Sequence, residues 1–318
     1  MSTTCPREAM HNREALQAQA YREELVERIC QMVPQDGGCE PLNGLSFFRI
    51  STPTELYHSL FEPAFCVIAQ GSKEVLVGSR RYRYDPYHYL IATLELPVAS
   101  HVVEASAERP YLSLRLALDP RLVSAVMIES GYIPSPDGAE ASAFEVNPLG
   151  LPLLEAVVRL ARLAAVPNEA PVLMPLITRE IIFRLLQDGQ GARLRHLVML
   201  SGQHHRITQA IQQIRATFDR SLHIERLAQT LGMSVSAFYA HFKAVTGMSP
   251  LQFQKRLRLQ EARRLLLIEG LDVATTAYRV GYNDAAHFSR DYKRLFGIPP
   301  MQDSKRQAFR LHTTSPST

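Results

Sequence analysis

GYNDAAHFSRDYKRLFGIPP, residues 281–300, is the stretch on which the fold turns. Phe288, Tyr292 and Phe296 recur every four residues, the spacing of one buried helix stripe. Asn283, just ahead of that stripe, is the expected cap of the helix, because a short polar side chain accepts bonds from the free N–H groups of a first turn. Gly297 and the prolines after it end the helix. On the other side of Gly281 lies a second, shorter pattern. Asp272 is a cap, and Val273, Ala277 and Val280 keep helical spacing up to the glycine. The reading is helix, tight turn, helix, with a small residue, Ala277, where two steeply crossing helices approach closely.

The same unit occurs earlier in the chain. Ile224, Ala228, Leu231, Gly232, Phe242, Gly247 and Pro250 match Val273, Ala277, Val280, Gly281, Tyr292, Gly297 and Pro299. Ser234 is the expected cap of the second helix there, and Phe238, Phe242 and Val245 are its stripe. Pro250–Glu269 lies between the units as about 20 residues of helix-forming sequence, roughly 30 Å long. Successive major-groove faces on one side of B-DNA lie about 34 Å apart. This connecting helix carries Lys255, Arg256, Arg258, Arg263 and Arg264 on its expected exposed faces and Leu259, Ala262, Leu265 and Leu266 on its buried one. A helical-hairpin repeat used for protein contact fits the same spacing. Charge favours DNA: residues 203–318 hold 17 Lys and Arg against 8 Asp and Glu, whereas the remainder is mildly acidic.

Working outward, the N-terminal part changes character. Glu8–Val33 reads as a helix that stops before Pro34 and Gly37–Gly38. Short runs rich in β-branched and aromatic residues follow: Phe47–Ile50, Phe65–Gln70, Glu74–Val77, Arg81–Tyr84, His88–Leu94, Ala99–Val103 and Tyr111–Leu118. Turn residues punctuate them, the pattern of a sandwich or small barrel. Helices return at Arg121–Glu129, Leu149–Ala165 and Val172–Leu186, with a Pro/Ser/Gly-rich loop at Ile133–Gly138. A Gly-containing link, Gln187–Ala192, leads into Arg193–Leu200. The two apolar helices are candidates either for pairing two copies or for covering an open side of the β domain.

Several functions are disfavoured. No apolar run reaches the roughly 18 to 20 residues of a membrane span, and the polar N-terminus has no secretory pattern. The expected location is the cytoplasm. Cys5, Cys30, Cys39 and Cys66 form no close pair, so no zinc site is expected; they read as ordinary reduced thiols, with a redox-sensing role as the alternative and Cys66 its best candidate. His58, His88 and His101 include no H-x-H pair, which argues against a metal-dependent oxygenase, and no cofactor is expected.

The stretch at 281–300 resembles the signature of the AraC/XylS family of bacterial regulators, G-F-x-D-x-S-x-F-x-R-x-F-K-x-x-F-G-x-x-P. It departs at Ala286, where serine is usual, and beyond Pro300, where Tyr-Arg is missing. In the N-terminal half QGSKEVLVG (70–78), YDPYHYL (84–90), LPV (96–98) and EASAERPYL (104–112) resemble the AraC-type regulator N-terminus. The resemblance implies an α+β chain: an N-terminal cupin-like β-barrel with flanking helices, then an all-α domain of two helix-turn-helix units. The implied segments are a helical extension (1–40), a sensor and dimerisation domain (41–192), a DNA-binding domain (203–302) and a tail (303–318). It implies a transcription activator or other regulator that binds promoter DNA, contacts RNA polymerase, pairs as a homodimer and responds to a small-molecule effector. The implied DNA-contact positions are Ser236, Tyr239, Ala240 and Lys243 in the first unit and Ala285, Ala286, Ser289, Arg290 and Lys293 in the second, with His241 and Arg294 as further phosphate candidates. Tyr82, Tyr84, Tyr89 and His101 are the candidates for the effector pocket.

Overall fold

The structure is a computed structural model, and it describes residues 6–132, 142–198 and 203–305. The expected loop at Ile133–Gly138 and the last two residues of the final expected helix before the basic half, 199–200, lie outside the described residues. The chain divides into two compact units, Met1–Tyr57 with Phe61–Ser201, and His58–Leu60 with Gly202–Thr318.

The N-terminal unit begins with helix α1 (Pro6–Met32), which ends just ahead of Pro34. Strands β1 (Gly37–Leu42), β2 (Leu45–Ile50), β3 (Tyr57–Phe61), β4 (Ala64–Gln70), β5 (Ser72–Val77), β6 (Arg80–Tyr84), β7 (His88–Ala92), β8 (Leu96–Glu104) and β9 (Tyr111–Ala117) follow. Then come α2 (Pro120–Glu129), β10 (Phe144–Pro148), α3 (Leu151–Leu163), α4 (Ala170–Leu185) and α5 (Gly191–Val198). Between α4 and α5 the expected link is instead a π-type turn, Leu186–Gln190, that carries the helix onward through Gly189 in left-handed backbone.

The strands form two antiparallel-paired sheets, β1-β2-β9-β4-β7-β10 and β3-β8-β5-β6. The expected barrel is therefore open: two sheets face each other and do not close into one cylinder. The chain changes sheets at Gly71, between β4 and β5. A side chain at Gly71 would meet the Glu104 carbonyl at 2.4 Å, and its φ of +82° favours glycine. Each face of the six-stranded sheet has its own partner. Phe65, Val67, Tyr89, Ile91, Leu112 and Leu114 pack under the helices, with Leu25 and Ile29 of α1 and most of α3 buried against them. Cys66, Leu90, Tyr111 and Ser113 alternate onto the other face. The stripe of α3 is thus covered within the unit, whereas α4 keeps Val172, Leu176 and Phe183 exposed.

The C-terminal unit is helical: α6 (Gln203–Ala216), α7 (Ile224–Thr230), α8 (Val235–Thr246), α9 (Pro250–Leu267), α10 (Val273–Arg279) and α11 (Ala285–Phe296). The 18 residues of α9 make a rod of about 27 Å. Phe238, Phe242 and Phe253 stack edge to face in one half, with centroids 5.6 and 5.5 Å apart. Leu259, Ala262, Leu265, Leu266, Ala277, Val280, Phe288 and Tyr292 form the core of the other. Each fully buried aromatic contributes about 1.5–3 kcal/mol by leaving water.

Candidate nucleic-acid interface

Both second helices start from a side-chain cap. Ser234 Oγ accepts the Ala237 N–H at 3.2 Å. In the second unit the cap is Asp284, not Asn283: its carboxylate accepts the Ala286 and His287 N–H groups at 2.9 and 3.0 Å. A carboxylate offers two acceptor oxygens and a charge that favours the positive end of the helix, which decides the one-residue difference. Those bonds hold the Asp284 carboxyl below its usual range. Asp272 caps α10 as expected, accepting from Ala274 and Thr275. Each second helix ends on a left-handed glycine, Gly247 or Gly297.

The outward faces differ. On α8, Val235, Ser236, Ala240 and Lys243 are exposed, and Tyr239 and His241 are half-buried. The Ser236 hydroxyl lies 3.3 Å from Ser234 Oγ, within the cap. The Tyr239 ring stands edge-on to Phe238 at 6.4 Å. On α11, Ala286, His287, Arg290, Lys293 and Arg294 are exposed together, and Ala285 and Ser289 are half-buried. The predicted positions therefore do gather on two helix faces. That on α11 is far more cationic.

The cations of α9 are another matter. The sequence reading places them on exposed faces, but among Lys255, Arg256, Arg258 and Arg263 none is more than half-exposed. Arg258 donates to three backbone carbonyls, from Nε to Phe218 at 2.6 Å, from Nη1 to Gly281 at 2.7 Å and from Nη2 to Arg220 at 2.8 Å. Arg263 donates to Asp303 Oδ2 at 2.9 Å, and Arg264 pairs with Glu261 and Glu269. Arg258 and Arg263 thus tie segments of the unit together, whereas Arg264 is exposed, as expected, and pairs with carboxylates of its own helix and of the loop after it. Asp303, assigned by sequence to the tail, is buried and also accepts the Tyr292 hydroxyl at 2.7 Å. The readable signal is a lone carboxylate set among many cations, which in a packed domain marks an internal ion pair.

In the N-terminal unit the predicted pocket residues separate. Tyr82 and Tyr84 share one face of β6, opposite Val75 and Lys73 of β5. Tyr84 lies between the sheets, where it shares a hydrogen bond with Tyr111; burial first, then the Tyr111 phenol, pushes it up. Lys73 Nζ donates to Tyr57 Oη at 2.8 Å nearby. Tyr89 points the other way, into the helix layer, 5.4 Å from Phe65. His101 sits opposite Glu74, on the face of its sheet opposite Tyr82 and Tyr84, because strand side chains alternate. Lys73, Tyr57 and Tyr111 come from three different strands, so only the folded chain brings them to Tyr84. A groove of about 950 Å³ runs between α1 and the strand ends, lined in part by Arg22, Val26, Gln70, Tyr87 and Arg109. Cys66 is buried, and burial pushes its thiol up to about 11. Burial and a raised thiol both disfavour the thiolate that redox chemistry needs.

Comparison with known proteins agrees with this layout. The profile of the AraC-type transcriptional regulator N-terminus matches residues 41–193, and that of a helix-turn-helix domain matches 227–306. The transcriptional activator RhaS of Salmonella dublin is 29% identical over 167 residues, which is 52% of this chain and 58% of RhaS. The transcriptional regulator ArgR of Pseudomonas aeruginosa is 24% identical over 132 residues, 41% of this chain and 40% of ArgR. The chain thus spans little more than half the length of RhaS and less than half that of ArgR. Two solved structures of ToxT from Vibrio cholerae, one apo and one with an unsaturated fatty acid bound, superpose with a TM-score of 0.50 at 9% identity. They cover 82% and 81% of this chain and 96% and 94% of theirs, a likeness of fold alone. The two profiles, the paired helix-turn-helix units and the two-sheet domain before them make this chain a member of the AraC family of transcriptional regulators, with an N-terminal sensor domain.

Proposed function

We propose that the chain binds promoter DNA through both helix-turn-helix units, reading two adjacent major grooves, and that its N-terminal unit senses a small-molecule effector. One observation carries this: α11 presents Arg290 and Lys293 beside His287 and Arg294 on one exposed face, starting from a firmly capped N-terminus. A guanidinium pairs bidentately with a guanine edge, and flanking cations bind phosphates and set register. Arg290 is the base reader. Lys243, Lys293 and Arg294 contact the backbone. Ser236, Tyr239, Ala240, Ala285, Ala286 and Ser289 shape the two surfaces and supply apolar or single hydrogen-bond contacts.

The effector site lies in the N-terminal unit. Fatty-acid binding by ToxT, a protein of similar fold, supports a ligand-binding role for the chain. Tyr82 and Tyr84, with Lys73 across from them, are its strongest lining candidates. Effector binding shifts a pre-existing balance of states and so DNA occupancy. The exposed apolar row on α4 supports pairing of two copies, and light scattering that finds only monomer overturns that part. Contact with RNA polymerase, an activating output and a cytoplasmic location follow from the same regulatory reading.

The test is a gel-shift titration of the full chain, at fixed salt, against duplexes selected from random DNA by the same protein. The expected result is a complex that the selected duplex competes away and a scrambled one does not. Equal competition by both overturns the reading.

A further inference from the structure

Asp291 is the exception on α11. It is the one carboxylate within a helix whose other charged groups are cations, and it is only 4% exposed. Four groups converge on it. Lys255 Nζ of α9 lies 2.5 Å from Oδ2, the Tyr282 hydroxyl donates to the same oxygen at 3.3 Å, and His287 Nε2 is 3.4 Å away. Arg294 pairs with Oδ1. Tyr282 comes from the turn between α10 and α11 and is itself buried, edge-on to Phe288 and His287 at 5.4 and 5.7 Å. Burial and the adjacent carboxylate push the Tyr282 phenol up, so it remains a donor. The corresponding place in the first unit, 50 residues earlier, holds His241. The anchor therefore belongs to the second unit.

Resting on the DNA-reading role above, we propose that Asp291 is the positioning residue for sequence readout. Its carboxylate fixes the roll of α11 against α9 through Lys255, and it holds His287 and Arg294 at the edge of the exposed face, so that Arg290 meets bases in one orientation. Neutralising it does two things at once. It loosens the seat of α11, and it frees Lys255 and Arg294 from their ion pairs and removes one negative charge beside the exposed face. Discrimination falls while affinity for arbitrary DNA rises. Loss of structure alone would lower both.

The experiment compares wild type, Asp291→Asn and Lys255→Met as full chains. Anisotropy titrations use the duplex selected by wild type and a scrambled duplex of equal composition, over a range of salt. For Asp291→Asn, binding to the scrambled duplex should tighten several-fold and its salt slope steepen by about one. The ratio of selected to scrambled affinity should fall about tenfold, the scale of one lost base-reading contact. Lys255→Met cuts only the tie to α9 and leaves Asp291 its other partners. It should lower the ratio without steepening the slope, and it decides the matter if Asp291→Asn does not fold. An unchanged ratio in every variant that folds overturns the proposal. Should wild type not distinguish the two duplexes, the DNA reading fails and this role with it. Discrimination by wild type that survives both substitutions removes only Asp291.

Discussion

The two helix-turn-helix units share a frame and differ in what they show to the outside. Phe238 and Phe288, Phe242 and Tyr292, Gly247 and Gly297 occupy matching places. On the exposed faces, Lys243 is the only cation of α8, whereas α11 carries Arg290, Lys293 and Arg294 with His287. Their anchoring differs too. The second unit is tied to α9 by Asp291 and Asp303, each a buried carboxylate meeting a cation of α9. A repeat can thus be preserved in its core while function divides along its surface. In the proposed function the α11 face supplies base reading and charge, and that of α8 a weaker, more apolar contact.

The sharpest way to break this comparison is at the turn glycines. Gly281 has φ +87°, and a Cβ there would come 1.9 Å from the Asp219 carbonyl oxygen. Gly232 has φ +62° and nothing closer than the Arg206 side chain at 3.9 Å. Gly281→Ala should cost about 3 kcal/mol or more by adding a backbone clash to left-handed strain, whereas Gly232→Ala should cost only about 1 kcal/mol. Thermal melts of both variants check this, and equal losses would mean that the two turns are not differently packed.

Next in size is Arg290→Ala, expected to weaken specific binding by about 1–3 kcal/mol and to relax preference at one base position. Its counterpart on α8 is already Ala240. A selection repeated with the variant would show unaltered preference if Arg290 reads nothing.

The caps distinguish the units by pH. Ser234→Ala should cost about 1 kcal/mol at any pH. Asp284 and Asp272 have carboxyls held below their usual range, Asp284 by its backbone bonds and Asp272 first by Thr275. A depressed carboxyl adds stability above its unfolded pKa, near pH 4, and loses it as pH falls through the lower folded value. Acid should therefore loosen α10 and α11 before α7 and α8, as read by residue-resolved hydrogen exchange at pH 4.5 and 3. Protection lost first from α8 would contradict this. Smallest of all, Lys243→Ala and Lys293→Ala should each reduce the salt slope of DNA binding by about 0.9, with little change in base preference.

Much of this was readable along the chain. Helix periods, glycine turns and the caps Ser234 and Asp272 depend on neighbours a few residues apart, as does the α+β division. The strands that escaped notice, β1, β3 and β10, are short and lie at sheet edges, where burial imposes only weak alternation. The cap at Asp284 was displaced by one residue because two acceptors stand side by side and only geometry chooses between them.

Local spacing was enough to establish two helix-turn-helix units, a β-rich domain before them and a basic C-terminal half, because each follows from residue type and short-range period. Three matters needed the folded chain: that the sheets stay open, that the tyrosines of one hairpin scatter to different faces, and that four of the five α9 cations are partly buried. Strand alternation sends adjacent residues to opposite sides, and ion pairs such as Lys255 with Asp291 join residues 36 positions apart. No window of sequence contains both partners of such a bond, so only packing reveals which charges remain available to a ligand.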